Sequence, residues 1–151
     1  MWIVYAHVVA IFLGFALTFG AGIILGQMLQ SGDVRTIRTA VKVGLPTQIT
    51  GGVFVLVAAI LGGVAANTLH FDFHARWLWL AVVLVAVLLL DGFARRGPRF
   101  RRIAAAAKRS GDDAPSPELR ALINDRFEVI GNIVSALIWV YILALMVLKP
   151  A

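Results

Sequence analysis

The sequence predicts an all-α fold: an integral membrane four-helix bundle with both termini outside and a basic cytoplasmic loop between helices three and four. Three observations lead there. Of the 151 residues, 60% are hydrophobic and only 15% are charged, with a mean hydropathy of +0.88, whereas a soluble domain carries roughly half apolar and about a quarter charged residues. Four stretches run uncharged for about the 20 residues that a helix needs to cross roughly 30 Å of hydrocarbon. Lysine and arginine, finally, collect in the connections that fall on one side of those stretches.

The first span, residues 2–29, contains no Asp, Glu, Lys or Arg. A cleaved signal peptide has a basic start and a short apolar core, so this segment reads as a retained helix. The second, residues 45–69, is entered through Leu45-Pro46-Thr47, where proline at a first helical turn signals a start. The third, residues 77–94, is aliphatic as far as Asp91. The fourth covers residues 128–148. A basic inner loop, residues 95–126, opens with RRGPRFRRIAAAAKR, which continues span three as a helix at headgroup level. GDDAP makes a turn, and Ser116-Pro117-Glu118 resembles a helix start.

Charge placement sets the orientation. Arg35, Arg38 and Lys42 follow span one. Arg95, Arg96, Arg99, Arg101, Arg102, Lys108, Arg109, Arg120 and Arg126 follow span three, so that twelve of the 14 basic residues share a side and only Arg76 and Lys149 lie opposite. The positive-inside rule puts that side in the cytoplasm of a bacterial inner membrane, with Trp2, Tyr5, Trp77 and Trp79 at the outer interface. The net charge of +6 then marks a loop resting on anionic lipid. With few aromatics interleaved, the loop does not read as a nucleic-acid surface.

Without cysteine, the chain has no disulfide, thiolate metal site or thiol catalysis. It also lacks a GxSxG elbow, an HExxH pair and a phosphate loop, so no enzymatic reaction is indicated. Small residues recur every fourth position in span one (Ala6, Ala10, Gly14, Thr18, Gly22, Gly26). Span two carries Gly51, Gly52, Ala58, Ala59, Gly62, Gly63 and Ala66. Such ridges let helices approach closely in lipid, here within one chain or across a homo-oligomer.

Two polar constellations stand out. Asp91 and Arg95, one turn apart, lie at the depth of Glu128 and Asn132 and form a candidate intramembrane polar group. On the outer side are His7, inside span one, and His70, Asp72 and His74, in the loop after span two. Imidazole and carboxylate suit copper or zinc, with Met146 able to add a thioether for copper; His70, Asp72 and His74 are the candidate metal ligands. His7 and His70 are alternatively the axial ligands of a haem b between helices. A histidine at this depth is also an ordinary headgroup-level polar residue.

The segments YAHVVAIFLGFALTFGAGIIL, LPTQITGG and DRFEVIGN resemble an uncharacterised bacterial family of four-helix predicted integral membrane proteins. That family is loosely akin to the CopD-type copper-resistance membrane domain and the HemJ-type haem-binding membrane oxidases. The resemblance implies a four-helix bundle with a first-span histidine, here His7, as a haem ligand. No histidine stands in spans three or four to match a second one. Three functions are thus in view: haem or transition-metal binding at the outer histidines, an accessory or scaffold subunit of a larger membrane complex, and a small-solute or ion transporter working as an oligomer. The last would want a continuous row of ionisable groups, which the spans lack.

Overall fold

The structure, a computed structural model, describes residues 1–70 and 75–148. It is all-α, 88% helical, with no strand among the described residues. Four helical stretches are long and apolar enough to cross a membrane: α1 (Trp2–Leu29), α2 (Val34–Thr68), α3 (Arg76–Arg109), and a fourth, Pro117–Leu148. The last divides into a short α4 (Pro117–Ile123) and the long α5 (Arg126–Leu148).

The sequence places a start of the second span near Pro46. The helix in fact begins at Val34 and carries Pro46 in its interior. Asp33 is the reason. Its carboxylate accepts from the Arg35 and Thr36 amides at 3.3 and 2.9 Å and from the Thr36 hydroxyl at 2.6 Å, which satisfies the free donors of a first helical turn. Gly32, at φ +77°, supplies the left-handed turn that leads into the cap. Pro46 removes one backbone bond, to the Lys42 carbonyl. Packing of Val34, Ile37, Ala40 and Gly44, all buried on one face, outweighs that loss. Arg35, Arg38 and Lys42 are therefore helical rather than loop residues.

The third span and the basic segment form a single helix, as the sequence predicts, through a π turn at Gly92–Arg96. The start of α4 also follows expectation: Ser116 caps it by accepting from the Leu119 amide at 3.2 Å, with Pro117 next. The 35 residues of α2 extend about 52 Å at 1.5 Å per residue, well beyond the hydrocarbon thickness. The surplus lies at the basic end. There Leu25, Leu29, Ile37, Ala40, Ile103, Ala106, Ala107 and Leu119 make a closed hydrophobic core. Arg38 ties the core together by donating to the Ala107 and Ser110 carbonyls at 3.0 and 2.8 Å, and to Asp112 at 2.6 Å. These bonds complement the partial negative charge at the C-terminus of α3.

Along the spans the helices pack as two antiparallel pairs. In the α1/α2 pair, Gly14 faces Val55 and Gly51 faces Thr18 so closely that an added Cβ would come within 2.9 and 2.7 Å of those side chains. These are ridge positions from the sequence, used within the chain. Gln48 donates to the Thr18 carbonyl at 3.1 Å, at the π turn Ala16–Gly20 of α1, where the helical bond pattern is interrupted. The second pair is α3 with α5. An edge-to-face contact of Phe15 with Trp139, centroids 5.5 Å apart, joins α1 to α5.

Candidate functional site

Two polar assemblies lie at opposite ends of the spans. At the basic end, Asp91 and Arg95 form a two-pronged bond on α3, at 2.5 and 2.9 Å. Arg95 also reaches Glu128 of α5 at 2.6 Å. The structure therefore unites three of the four residues that the sequence groups here. Asn132 does not join them: it lies on the exposed side of α5, one helical turn after Glu128, and no bond among the described residues links it to the group.

Three further residues belong to this assembly. Arg96 donates to Asp91 at 3.0 Å, Arg99 stands 3.5 Å from Glu128, and Ser135 donates to Asp91 at 3.2 Å. Arg99 repeats the four-residue step that links Asp91 to Arg95, so its inclusion was visible in the sequence. Arg99 also donates to the Leu122 carbonyl at 3.1 Å at the end of α4. Gly131 makes room for the Arg95 guanidinium, whose carbon an added Cβ would meet at 2.6 Å. Here two carboxylates meet three guanidiniums. The bonds of Arg95 to Asp91 and Glu128 fasten α3 to α5.

At the end carrying Trp2 and Leu148, His7 lies against α2. Its Nδ1 is 2.7 Å from the Ala58 carbonyl oxygen. A carbonyl only accepts, so Nδ1 carries the hydrogen and donates it; in the neutral form of the ring Nε2 then holds the lone pair. The ring sits over Gly62, where a Cβ would come within 2.7 Å of Cε1. His7 therefore lines a small cavity of about 30 Å³ together with Val55, Ala58, Val85, Trp139 and Met146. A larger open hollow of about 470 Å³ lies at the basic end beside Leu29, Ile37 and Arg120, facing the exposed Arg120 and Asn124.

His70, expected from the sequence as the second haem ligand, is not among the residues that line the cavity at His7. His70 is exposed, with φ at +55°, eight residues past the Gly62 that seats His7. The cavity at His7 is likewise far below the roughly 300 Å³ of even a drug-sized pocket. For the metal triad, Asp72 and His74 lie outside the described residues. Among the described residues no group of three or more His, Asp or Glu could hold a metal ion.

What sequence reasoning missed is Trp139, which it did not connect with His7 or Met146. Helical spacing places Trp139 and Met146 on one face of α5, seven residues apart. Their meeting with His7 depends on how α1 crosses α5.

Comparison of the chain with protein-family models, with curated proteins and with solved structures finds no match.

Proposed function

We propose that this chain is a multi-pass protein of a bacterial inner membrane, with its basic end in the cytoplasm, that binds a transition-metal ion at its outer end through His7. One observation carries the reading. The His7 ring is held by the Ala58 carbonyl at Nδ1, and His7 lines a small cavity. A metal-bound histidine usually has this arrangement: the nitrogen that does not bind is fixed by an acceptor, so the other is a basic and oriented ligand. A cavity of about 30 Å³ admits a single ion or water. The cytoplasmic placement of the basic end rests on the twelve basic residues there. Arg101, Arg102 and Lys108 are exposed on α3, in position for anionic lipid headgroups.

The test is metal content. Full-length protein purified in mild detergent is equilibrated with copper and zinc salts under reducing and non-reducing conditions, then freed of excess metal. The expected result is one bound ion per chain, lost in His7→Ala and retained in His70→Ala. Equal metal in wild type and His7→Ala would overturn the proposal.

A second reading, as a subunit of a larger membrane assembly, draws on α3. Over residues 76–91 that helix buries only Ala81, which leaves most of its apolar surface free for lipid or another helix. Cross-linking in native membranes that leaves the chain monomeric would remove this reading.

A further inference from the structure

We infer that the ion is a soft monovalent cation, Cu⁺ or its analogue Ag⁺, held in the small cavity between His7 Nε2 and the Met146 thioether against the indole of Trp139. This rests on the proposal that His7 binds a metal, and goes further by naming the ion class and the partner groups.

The chemistry of the cavity wall selects the ion. His7, Met146 and Trp139 line the cavity, and the other lining groups are aliphatic (Ile11, Val55, Ala58, Ala59, Val85, Ile142). None is a carboxylate or carries a charge when His7 is neutral. A divalent ion there would keep its full double charge in a low-dielectric setting, and the solvation cost of an ion grows with the square of its charge, about fourfold from one to two. Zinc and calcium also want three or more nitrogen or oxygen ligands, which no group among the described residues supplies. A neutral imidazole with a thioether is the soft pair that favours Cu⁺. Trp139 adds a third attraction. It is buried at 6% exposure, and tryptophan offers the strongest aromatic face to a cation. Phe15 packs edge-on against its ring at 5.5 Å, which holds the indole in place beside the cavity.

The geometry suits an ion that needs few ligands. Ala58 serves twice, as the acceptor that orients His7 and as a small residue in the wall. Met146 lies close to the end of α5, and a thioether on a flexible stem adapts to an entering ion with little backbone change.

The experiment uses the whole chain in mild detergent, oxygen-free, with ascorbate as reductant. Cu⁺ is supplied in competition with a chromophoric Cu⁺ chelator, Ag⁺ is added as nitrate to separate samples free of ascorbate and chloride, and Zn²⁺ serves as the hard-ion comparison. Three variants accompany the wild type: His7→Ala, Met146→Leu, which conserves volume, and Trp139→Phe, which keeps a ring in place. Far-ultraviolet dichroism and a melting curve establish that each is folded. The expected result is one Cu⁺ or Ag⁺ per chain in the wild type, with tryptophan fluorescence falling in step. Met146→Leu should weaken binding about 10–100-fold, and Trp139→Phe should abolish most of the fluorescence change. Zn²⁺ should not compete.

If His7→Ala loses the metal while Met146→Leu and Trp139→Phe bind as wild type, metal binding at His7 stands and this inference fails. Zn²⁺ binding at His7 as tight as Cu⁺ overturns it in the same way. Absence of bound metal from every form overturns both.

Discussion

Single side chains in this protein act mainly by serving backbone groups, and this is where sequence reading is weakest. His7 can be read as a polar residue at the right depth. Its partner, the Ala58 carbonyl at 2.7 Å, has no letter of its own, because every residue carries such an oxygen. The seat on Gly62 is likewise a matter of which of several small residues on α2 faces α1. Gly52 and Gly63 have nothing within 4 Å of an added Cβ, whereas Gly51 and Gly62 would clash. Asp33 is the opposite case, for its capping bonds join near neighbours in sequence. The Thr36 hydroxyl and then the Thr36 amide hold its carboxyl below the ordinary value of 3.8. A depressed folded value means that the stabilisation is complete above the ordinary value and fades as pH falls through the depressed one. Asp33→Ala should therefore lower the melting temperature at neutral pH, and the gap to wild type should narrow once the carboxylate titrates. A gap of constant size across that acid range would contradict the capping role.

At the scale of helices, the four spans were legible because a span needs only length and absence of charge. Boundaries were less so. The run from Val34 to Gly44 looked like a charged connection because of Arg35, Arg38 and Lys42, yet Val34, Ile37, Ala40 and Gly44 recur at helical spacing and are all buried. Arg38 then turns inward across the C-terminus of α3. Several of the basic residues counted as loop charge are thus bound to other helices: Arg38 to the end of α3, Arg95 to Glu128 of α5, Arg99 to the end of α4, and Arg109 to Glu118 of α4. The Asp91 assembly joins α3 to α5, and its worth follows from what remains when it is broken. Asp91→Asn leaves Arg95, Arg96 and Arg99 with Glu128 alone. Removing one partner of a buried ion pair costs about 3–5 kcal/mol. With 21% and 28% of the Asp91 and Arg95 side chains still exposed, about 2–3 kcal/mol is expected after screening by water. Unfolding in mixed detergent micelles measures it. A change under about 0.5 kcal/mol, the size of an ordinary surface substitution, would show that the assembly does not hold the helices together.

For the whole molecule, the chain divides its stabilisation between two solvents. Within the spans, close glycine contacts join α1 to α2 and an ion assembly joins α3 to α5. At the basic end, surplus helix length builds an ordinary hydrophobic core from Ile37, Ile103 and Leu119, each fully buried. Water drives burial there, whereas lipid supplies no such drive between helices. This division puts Gly111 at one end of the molecule and Asn67 at the other, so reporters fused after them should register on opposite sides of the membrane, with the Gly111 fusion cytoplasmic. A shared side would contradict the antiparallel arrangement. The same division leaves the far end free for His7, Trp139 and Met146. X-ray absorption at the metal edge of copper-loaded, reduced protein reads donor atoms directly. The predicted spectrum contains one imidazole and one sulfur per ion, and His7→Ala retains no copper to give one. Oxygen donors alone, or two imidazoles without sulfur, would contradict the account.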